Sequence, residues 1–290
     1  MALILIVLTL AIAIYSLIKA YVHVYSLSRP AIKKRTLNPN IPVSIHKFYF
    51  ISQTKIKLSA IEYLPTIKPR GTIIAFHYLG GSKESIFRYV DYLIEEGFRV
   101  ISFDFPNHGE SEVQKIVKFT LDKDAVSFMQ KIKEMGINGP YGVIGLSMGA
   151  TPALMILEQY PEIKAAVIDS GPLIYVNEYF DYVLKIKGIK NPLCCFFFKV
   201  LYLYCAGFKR MSKETRNCLS KLCTKPIMFI HGEKDTTIPI NNSLKALELL
   251  RSDKAFYWCE PNARHLTALS QNEQEYRKRV IEFFNRYMCI

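Results

Sequence analysis

The chain has 290 residues, of which 50% are hydrophobic and 22% charged, a composition that is typical of a folded protein and excludes a disordered one. Its net charge of +13 is scattered along the sequence, without any nucleic-acid-binding motif, so it favours contact with an anionic membrane surface over nucleic acid. The seven cysteines are odd in number and lack disulfide or zinc spacing, so we expect reduced thiols and no metal.

The N-terminal segment is the most apolar part of the chain. Residues 2–18 are interrupted only by Thr9 and Ser16, and the run reaches Leu27 if the Lys19 side chain extends toward water. This length is enough to cross a bilayer, although a cleaved signal peptide is the alternative. The basic residues follow the run instead of preceding it, which favours an uncleaved anchor at residues 1–27 with the remainder of the chain on the cytoplasmic side.

Residues 28–43 lack periodicity and are predicted to be a linker to a domain at 44–290. The predicted strands are His46–Ser52, Lys57–Leu64, Thr72–His77, Phe98–Phe103, Tyr141–Ile144, Lys164–Asp169, Ile227–His231 and Ala255–Glu260. The predicted helices are Lys83–Glu96, Leu121–Met135, Ala150–Tyr160, Asn242–Leu250 and Gln271–Tyr287. An antiparallel pair followed by β-α repeats predicts an α/β fold with a mostly parallel sheet of about eight strands covered by helices.

The pentapeptide Gly145–Gly149 fits the pattern G-x-S-x-G, in which a serine occupies a sharp turn between a strand and a helix. The predicted strand before it and the predicted helix after it supply that context. Because a serine hydroxyl is a poor nucleophile without a base, the motif requires a histidine and an orienting carboxylate elsewhere in the chain. Ser147 is therefore a candidate nucleophile.

Candidates for both partners follow the pentapeptide in the chain. Asp235 lies in the loop after one predicted strand, and His265 lies in the loop after the next. Both would sit at the same sheet edge as Ser147, where ligands bind in parallel sheets. Asp169 also ends a strand and is the alternative carboxylate. The competing histidines, which more often brace loops by hydrogen bonds, are His77, His108 and His231.

These motifs together resemble the α/β-hydrolases of the serine esterase, lipase and thioesterase type. The resemblance covers roughly residues 44–290 and includes the pattern H-G-x-x-D-x-x-x-P at 231–239 and the segment Phe103–Ser111. It implies that Ser147 is the nucleophile, His265 the general base and acid, and Asp235 the residue that orients the histidine. No metal or organic cofactor is implied.

The resemblance also predicts an oxyanion hole made of two backbone N–H groups. Met148, directly after the nucleophile, supplies one of them. The other comes from the loop 77–82, where Leu79 is the aligned donor and Tyr78 the alternative. Tyr78 replaces the glycine that is usual in the family, and Tyr78 and Gly80 are predicted to contact the substrate.

The residues at about 172–224 contain no convincing strand and are rich in aromatic and aliphatic side chains. The family commonly has a helical cap after the sixth strand, and this cap either packs on the core or lines an apolar acyl pocket at the membrane. The sequence thus predicts a membrane-anchored hydrolase of esters or thioesters that acts on a lipid or an acylated small molecule or protein. An acyltransferase, a peptidase and a non-catalytic scaffold remain alternatives.

Overall fold

The computed structural model describes residues 2–29 and 40–288, and most of the predicted linker lies outside them. In the described chain, one sheet contains eight strands in the order β1-β2-β4-β3-β5-β6-β7-β8. The strands are β1 Val43–Ile51, β2 Lys57–Pro65, β3 Thr72–Phe76, β4 Arg99–Phe103, β5 Tyr141–Leu146, β6 Ile163–Asp169, β7 Ile227–Gly232 and β8 Ala255–Glu260. Strand β2 is antiparallel to both of its neighbours, β1 and β4. The neighbouring strands in the order β4-β3-β5-β6-β7-β8 pair in parallel.

Helices cover both faces of the sheet. The α-helices are α1 Ala2–Ser28, α2 Asp91–Glu95, α3 Leu121–Glu134, α4 Ala150–Gln159, α5 Val176–Lys187, α6 Pro192–Lys199, α7 Phe208–Leu219, α8 Asn241–Leu250, α9 Ala268–Gln271 and α10 Glu273–Tyr287. Successive residues of β3 point to opposite faces, so Ile74 and Phe76 belong to one core cluster while Ile73 and Ala75 belong to the other. This two-sided burial explains why the strand is apolar at every position.

The predicted helix at Lys83–Glu96 is wrong over its first half. Residues 83–86 form turns, a short 3₁₀ helix follows at Phe87–Tyr89, and α2 occupies five residues. Ser82 and Ser85 exchange hydrogen bonds with each other, and the Lys83 backbone N–H donates to Asp104 Oδ1 at 2.7 Å. In these contacts the backbone N–H groups of Ser82 and Lys83 donate to side-chain oxygens, so side-chain hydrogen bonds replace the local helical pattern here.

Between β6 and β7 the chain forms the cap, which consists of α5, α6, a π-helical segment at Val200–Cys205 and α7. The last two helical stretches, Pro192–Cys205 and Phe208–Leu219, are bent by 48° relative to each other. Phe198 and Tyr202 are buried on the inner side of the cap, where their rings stack on each other. These two aromatic residues of the cap therefore pack inward, whereas Phe196 and Tyr204 are exposed.

Helix α1 is long and apolar enough to cross a membrane, with a mean hydropathy of 2.5 over its most apolar window. Its large apolar side chains from Leu3 to Ile18 are exposed, whereas Ala20, Val24 and Leu27 are buried against the domain. The helix therefore has a free N-terminal part and a C-terminal part that is packed on the rest of the protein.

Asp124, in the first turn of α3, is fully buried and makes the stability of the fold depend on pH. Burial raises its pKa to about 6 from a usual value of 3.8, although the hydroxyls of Thr120 and Thr54 donate to it. The folded state therefore binds a proton on the Asp124 carboxyl more tightly than the unfolded state does. The protonated carboxyl stabilises the fold at low pH, and this stabilisation is lost as the pH rises through 6.

We expect Asp124→Asn to gain stability relative to the wild type by about 2 kcal/mol between pH 4 and pH 7.5, because a shift of about two pKa units corresponds to about 3 kcal/mol in full and part of it is already lost at pH 4. Denaturant unfolding followed by circular dichroism at both pH values measures this difference. The exposed residue Asp181 provides the charge-matched control, Asp181→Asn. A difference between Asp124→Asn and wild type that stays constant with pH contradicts the prediction.

Candidate active site

The sharp turn after β5 holds Ser147 in a strained backbone conformation with a φ of +49°. A Cβ at position 145 would lie 2.6 Å from the Gly149 carbonyl oxygen, and one at position 149 would lie 2.4 Å from the Phe76 carbonyl oxygen. Only glycine fits at both positions, because the strand, the turn and α4 approach each other this closely. The local sequence thus presents the serine hydroxyl at the carboxyl edge of the sheet.

The structure brings together Ser147, His265 and Asp235 from three separate loops. His265 Nε2 lies 2.9 Å from Ser147 Oγ, and His265 Nδ1 lies 2.7 Å from Asp235 Oδ2. With Asp235 ionised, Nδ1–H donates to the carboxylate and leaves the Nε2 lone pair facing the serine hydroxyl. The arrangement can remove a proton from Ser147 and stabilise the imidazolium that results.

The Asp235 carboxylate is held in its ionised form by its surroundings. Burial raises its pKa, but hydrogen bonds involving His231 and His265 outweigh burial and leave the pKa below its usual value. Its other oxygen, Oδ1, accepts the backbone N–H groups of Thr237 and Ile238 at 2.8 and 2.9 Å. These contacts fix the carboxylate in the plane where it meets the imidazole.

Asp169, the alternative carboxylate, is fully buried and has other partners. Its oxygens accept the hydroxyls of Ser170 and Tyr276 at 2.8 and 3.0 Å, and burial raises its pKa. Ser170 Oγ in turn accepts the backbone N–H of Leu266, the residue after His265, at 3.0 Å. Asp169 therefore supports the loop that carries the histidine. Sequence reasoning missed this role because Tyr276 comes from a distant helix.

The three competing histidines are buried and engaged in loop contacts. His77 accepts the Phe105 backbone N–H at Nε2, and burial lowers its pKa well below the usual value, which keeps it neutral. His108 Nδ1 lies 3.0 Å from the Pro106 carbonyl oxygen. His231 contacts Ser243 Oγ through Nδ1, and its Nε2 lies 2.8 Å from the Ile238 carbonyl oxygen and 3.3 Å from Asp235 Oδ2. Each histidine braces a loop of the site, and none of them faces Ser147.

The predicted oxyanion residues Met148 and Leu79, together with Tyr78, line the same cavity as Ser147. The N–H groups of Tyr78 and Leu79 have no hydrogen-bond acceptor within the described parts of the chain, so both are available to a ligand. Gly80 is not among the residues that line this cavity; its φ of +79° turns the loop.

A buried charge cluster beneath this loop escaped the sequence analysis. The Lys83 side chain is fully buried, and its Nζ lies 2.8 Å from Asp104 Oδ2, 2.9 Å from Glu110 Oε2 and 3.0 Å from Glu84 Oε1. Burial lowers the pKa of Lys83, but Asp104 and the hydrogen bonds outweigh it and raise the pKa above its usual value. The cluster ties the loop 77–82 to the segment after β4.

The cavity above Ser147 and His265 has a volume of about 240 Å³ and is mostly apolar. The segment between β6 and β7 supplies a large part of its wall, through Leu173, Tyr179, Tyr182, Ile186, Tyr202, Phe208 and Met211. Thr237, two residues after Asp235, donates from its hydroxyl to Tyr182 Oη at 3.2 Å and so joins the cap to the loop that carries Asp235. The arrangement suits an apolar group whose reactive end reaches Ser147.

The sheet order and the flanking helices are those of the α/β-hydrolase fold. A family model described as the alpha/beta hydrolase fold matches residues 71–186. The solved structure of the esterase Pf2001 from Pyrococcus furiosus superposes with a TM-score of 0.73 at 22% identity, over 91% of this chain and 98% of that chain. The chain therefore has the α/β-hydrolase fold and is similar to proteins of that fold, an esterase among them.

Two relatives are similar in sequence. The putative esterase YitV of Bacillus subtilis is 25% identical over 214 residues, which span 67% of this chain and 82% of YitV. A probable alcohol acetyltransferase of Cyberlindnera fabianii is 32% identical over 137 residues, which span 43% of this chain and 36% of that protein. One relative is thus named for ester cleavage and the other for acyl transfer.

Proposed function

We propose that the chain is a membrane-anchored serine hydrolase that cleaves a carboxylic ester or thioester with an apolar acyl group. The observation that carries this proposal is the alignment of Ser147, His265 and Asp235 at 2.9 and 2.7 Å, at one end of an apolar cavity. Both distances are within hydrogen-bonding range for a nucleophile, its base and an orienting carboxylate.

In this mechanism Ser147 Oγ attacks the carbonyl carbon while its proton passes to His265 Nε2. The backbone N–H groups of Met148 and Leu79 bind the oxyanion, and the loss of one such donor typically costs about 3 kcal/mol of transition-state stabilisation. His265 then protonates the leaving alcohol or thiol, which departs. Water, activated by the same imidazole, hydrolyses the acyl-enzyme and restores the serine hydroxyl.

Labelling with a fluorophosphonate tests this assignment, because the reagent phosphonylates a serine that its neighbouring base has activated. We expect stoichiometric labelling of the wild type and none of Ser147→Ala. The control is Ser270→Ala, an exposed serine on α9. Equal labelling of wild type and Ser147→Ala, or no labelling of either, contradicts the proposal.

The packing of α1 supports a retained anchor over a cleaved signal peptide. Ala20, Val24 and Leu27 are buried against the domain, and cleavage after the apolar run would expose the surface they cover. The basic residues after the run favour the cytoplasmic side for the domain. Carbonate extraction should leave the intact chain in the membrane fraction, and its release as a soluble protein contradicts anchoring.

Acyl transfer is the second candidate, and the similarity to a probable alcohol acetyltransferase favours it specifically. The acyl-enzyme is the same in both reactions, and the acceptor is an alcohol instead of water. A product assay with a competing alcohol distinguishes the two, since a transferase forms the new ester in preference to the free acid. A ratio of new ester to free acid that only follows the ratio of alcohol to water supports the hydrolase.

A further inference from the structure

The C-terminal half of α1 packs on the domain through one face. The buried residues Ser16, Ala20, Val24 and Leu27 recur every three or four positions, so they share one side of the helix. This side contacts α6 and the π-helical segment of the cap. Two small residues, Ser16 and Ala20, permit a close approach between α1 and the cap. The apolar residues between Leu3 and Ile18 that point away from this face stay exposed.

Specific side-chain contacts fix the same part of α1 on the cap. The ring of His23 meets the ring of Phe198 edge-on at a centroid distance of 6.4 Å. The Lys187 ammonium, at the end of α5, donates to Ser26 Oγ at 3.3 Å. The Arg29 guanidinium, just beyond α1, donates to the Gln114 backbone carbonyl. Contacts with three separate segments hold the end of the helix in one position.

Leu27, in the final turn of α1, reaches the catalytic cavity. It lines that cavity together with Ser147, His265 and the aromatic residues of the cap, and 9% of its surface is exposed. Along the helix axis it lies nine residues beyond Ile18, about 13 Å at the usual helical rise. The catalytic cavity is therefore bounded in part by the same helix whose other end is exposed and apolar.

We infer that Leu27 is a specificity-determining residue whose side chain limits the length of acyl chain that the cavity accepts. This inference rests on the proposed function, because it assigns the acyl group to the cavity beside Ser147. Its physical basis is that one methylene more or less in a well-filled apolar pocket changes the rate for a substrate roughly tenfold or more. The membrane helix is thus part of the substrate site as well as an attachment.

Two substitutions, one that enlarges the side chain at position 27 and one that shortens it, test the inference in the full-length chain in detergent micelles. Each is assayed on a panel of p-nitrophenyl esters from acetate to palmitate, and the readout is the ratio of kcat/KM for decanoate to that for acetate. Leu27→Trp fills the cavity and should lower this ratio roughly tenfold or more. Leu27→Ala enlarges the cavity and should raise the ratio and move the preferred chain length upward.

Leu10→Trp is the matched control, because Leu10 lies on the same helix with 56% of its surface exposed. Its ratio should equal that of the wild type. Fluorophosphonate titration gives the concentration of competent sites in every variant, so misfolded protein does not distort the ratios. Titratable sites with unchanged ratios in both Leu27 variants overturn this inference alone. A wild type without titratable sites overturns the proposed function itself.

Discussion

Asp235→Asn is expected to lower kcat for ester hydrolysis about 10⁴-fold with little change in KM, because the substitution disturbs the base and leaves the cavity intact. The asparagine oxygen can still accept the N–H groups of Thr237 and Ile238, as Asp235 Oδ1 does. Its amide nitrogen then replaces Oδ2, which lies 2.7 Å from His265 Nδ1. An amide N–H at that position can only donate.

The donating amide selects the wrong form of the histidine. His265 Nδ1 must present its lone pair to the amide, which moves the ring proton to Nε2, the atom 2.9 Å from Ser147 Oγ. The serine then faces a donor, and no base can take its proton. The uncharged amide also fails to stabilise the imidazolium that forms in the transition state. Steady-state kinetics over the same ester panel measure the loss.

The variant Asp169→Asn distinguishes the roles of the two candidate carboxylates, Asp169 and Asp235. Asp169 is bound to Ser170 and Tyr276, so its replacement should disturb the loop of His265 and lower kcat much less than Asp235→Asn does. Circular dichroism should show the same secondary structure in both variants. A larger loss in Asp169→Asn than in Asp235→Asn would reverse the assignment of the orienting carboxylate.

The sequence was sufficient to predict which strands the candidate site residues follow, because each of these residues lies after a strand with its own local pattern. Ser147 is preceded by an apolar strand and flanked by glycines, and Asp235 and His265 each lie just beyond an apolar strand. Parallel strands end at one edge, so three separate local patterns converge without any knowledge of tertiary contacts. The α/β fold follows from the same alternation.

What the sequence did not predict depends on partners that are distant in the chain. Leu27 has no local mark that distinguishes it from the other apolar residues of α1, and its place in the cavity wall results from the docking of α1 on the cap. The turns that replace the first half of the predicted helix at Lys83–Glu96 are held by Asp104, which is 21 residues away from Lys83. Such contacts are decided by packing, which propensity and periodicity do not report.

Lys83→Met should be the most destabilising of the substitutions considered, by about 3–5 kcal/mol, because it leaves a buried carboxylate without its cation. The side chains of Lys83 and Asp104 are both completely buried, and their charged atoms lie 2.8 Å apart. Asp104 would retain the backbone N–H groups of Lys83 and Glu110, which satisfy hydrogen bonds but carry no full charge. Thermal unfolding in micelles should shift downward by roughly 10 °C.

Lys47→Met provides a matched control, since Lys47 binds the same carboxylates, Glu84 and Glu110, with a side chain that is 48% exposed. Water screens these pairs, so the loss should stay below about 1 kcal/mol. A second variant identifies the cause: Lys83→Met combined with Asp104→Asn removes the unpaired charge and should recover part of the stability. A double variant no more stable than Lys83→Met alone would mean that packing, and not charge, governs this site.

The same cluster should affect catalysis through the oxyanion loop. Lys83 directly follows the loop 77–82, and its backbone N–H is anchored on Asp104 Oδ1 at 2.7 Å. Loss of the ion pair leaves this backbone bond as the remaining link between residue 83 and Asp104, so the loop is held less firmly. A displaced Leu79 N–H would weaken the oxyanion contact, which is typically worth a hundredfold or more in kcat. Because fluorophosphonate titration counts the folded sites, kcat per site should fall in Lys83→Met at a temperature where the variant is folded. An unchanged kcat per site would limit the role of the cluster to stability.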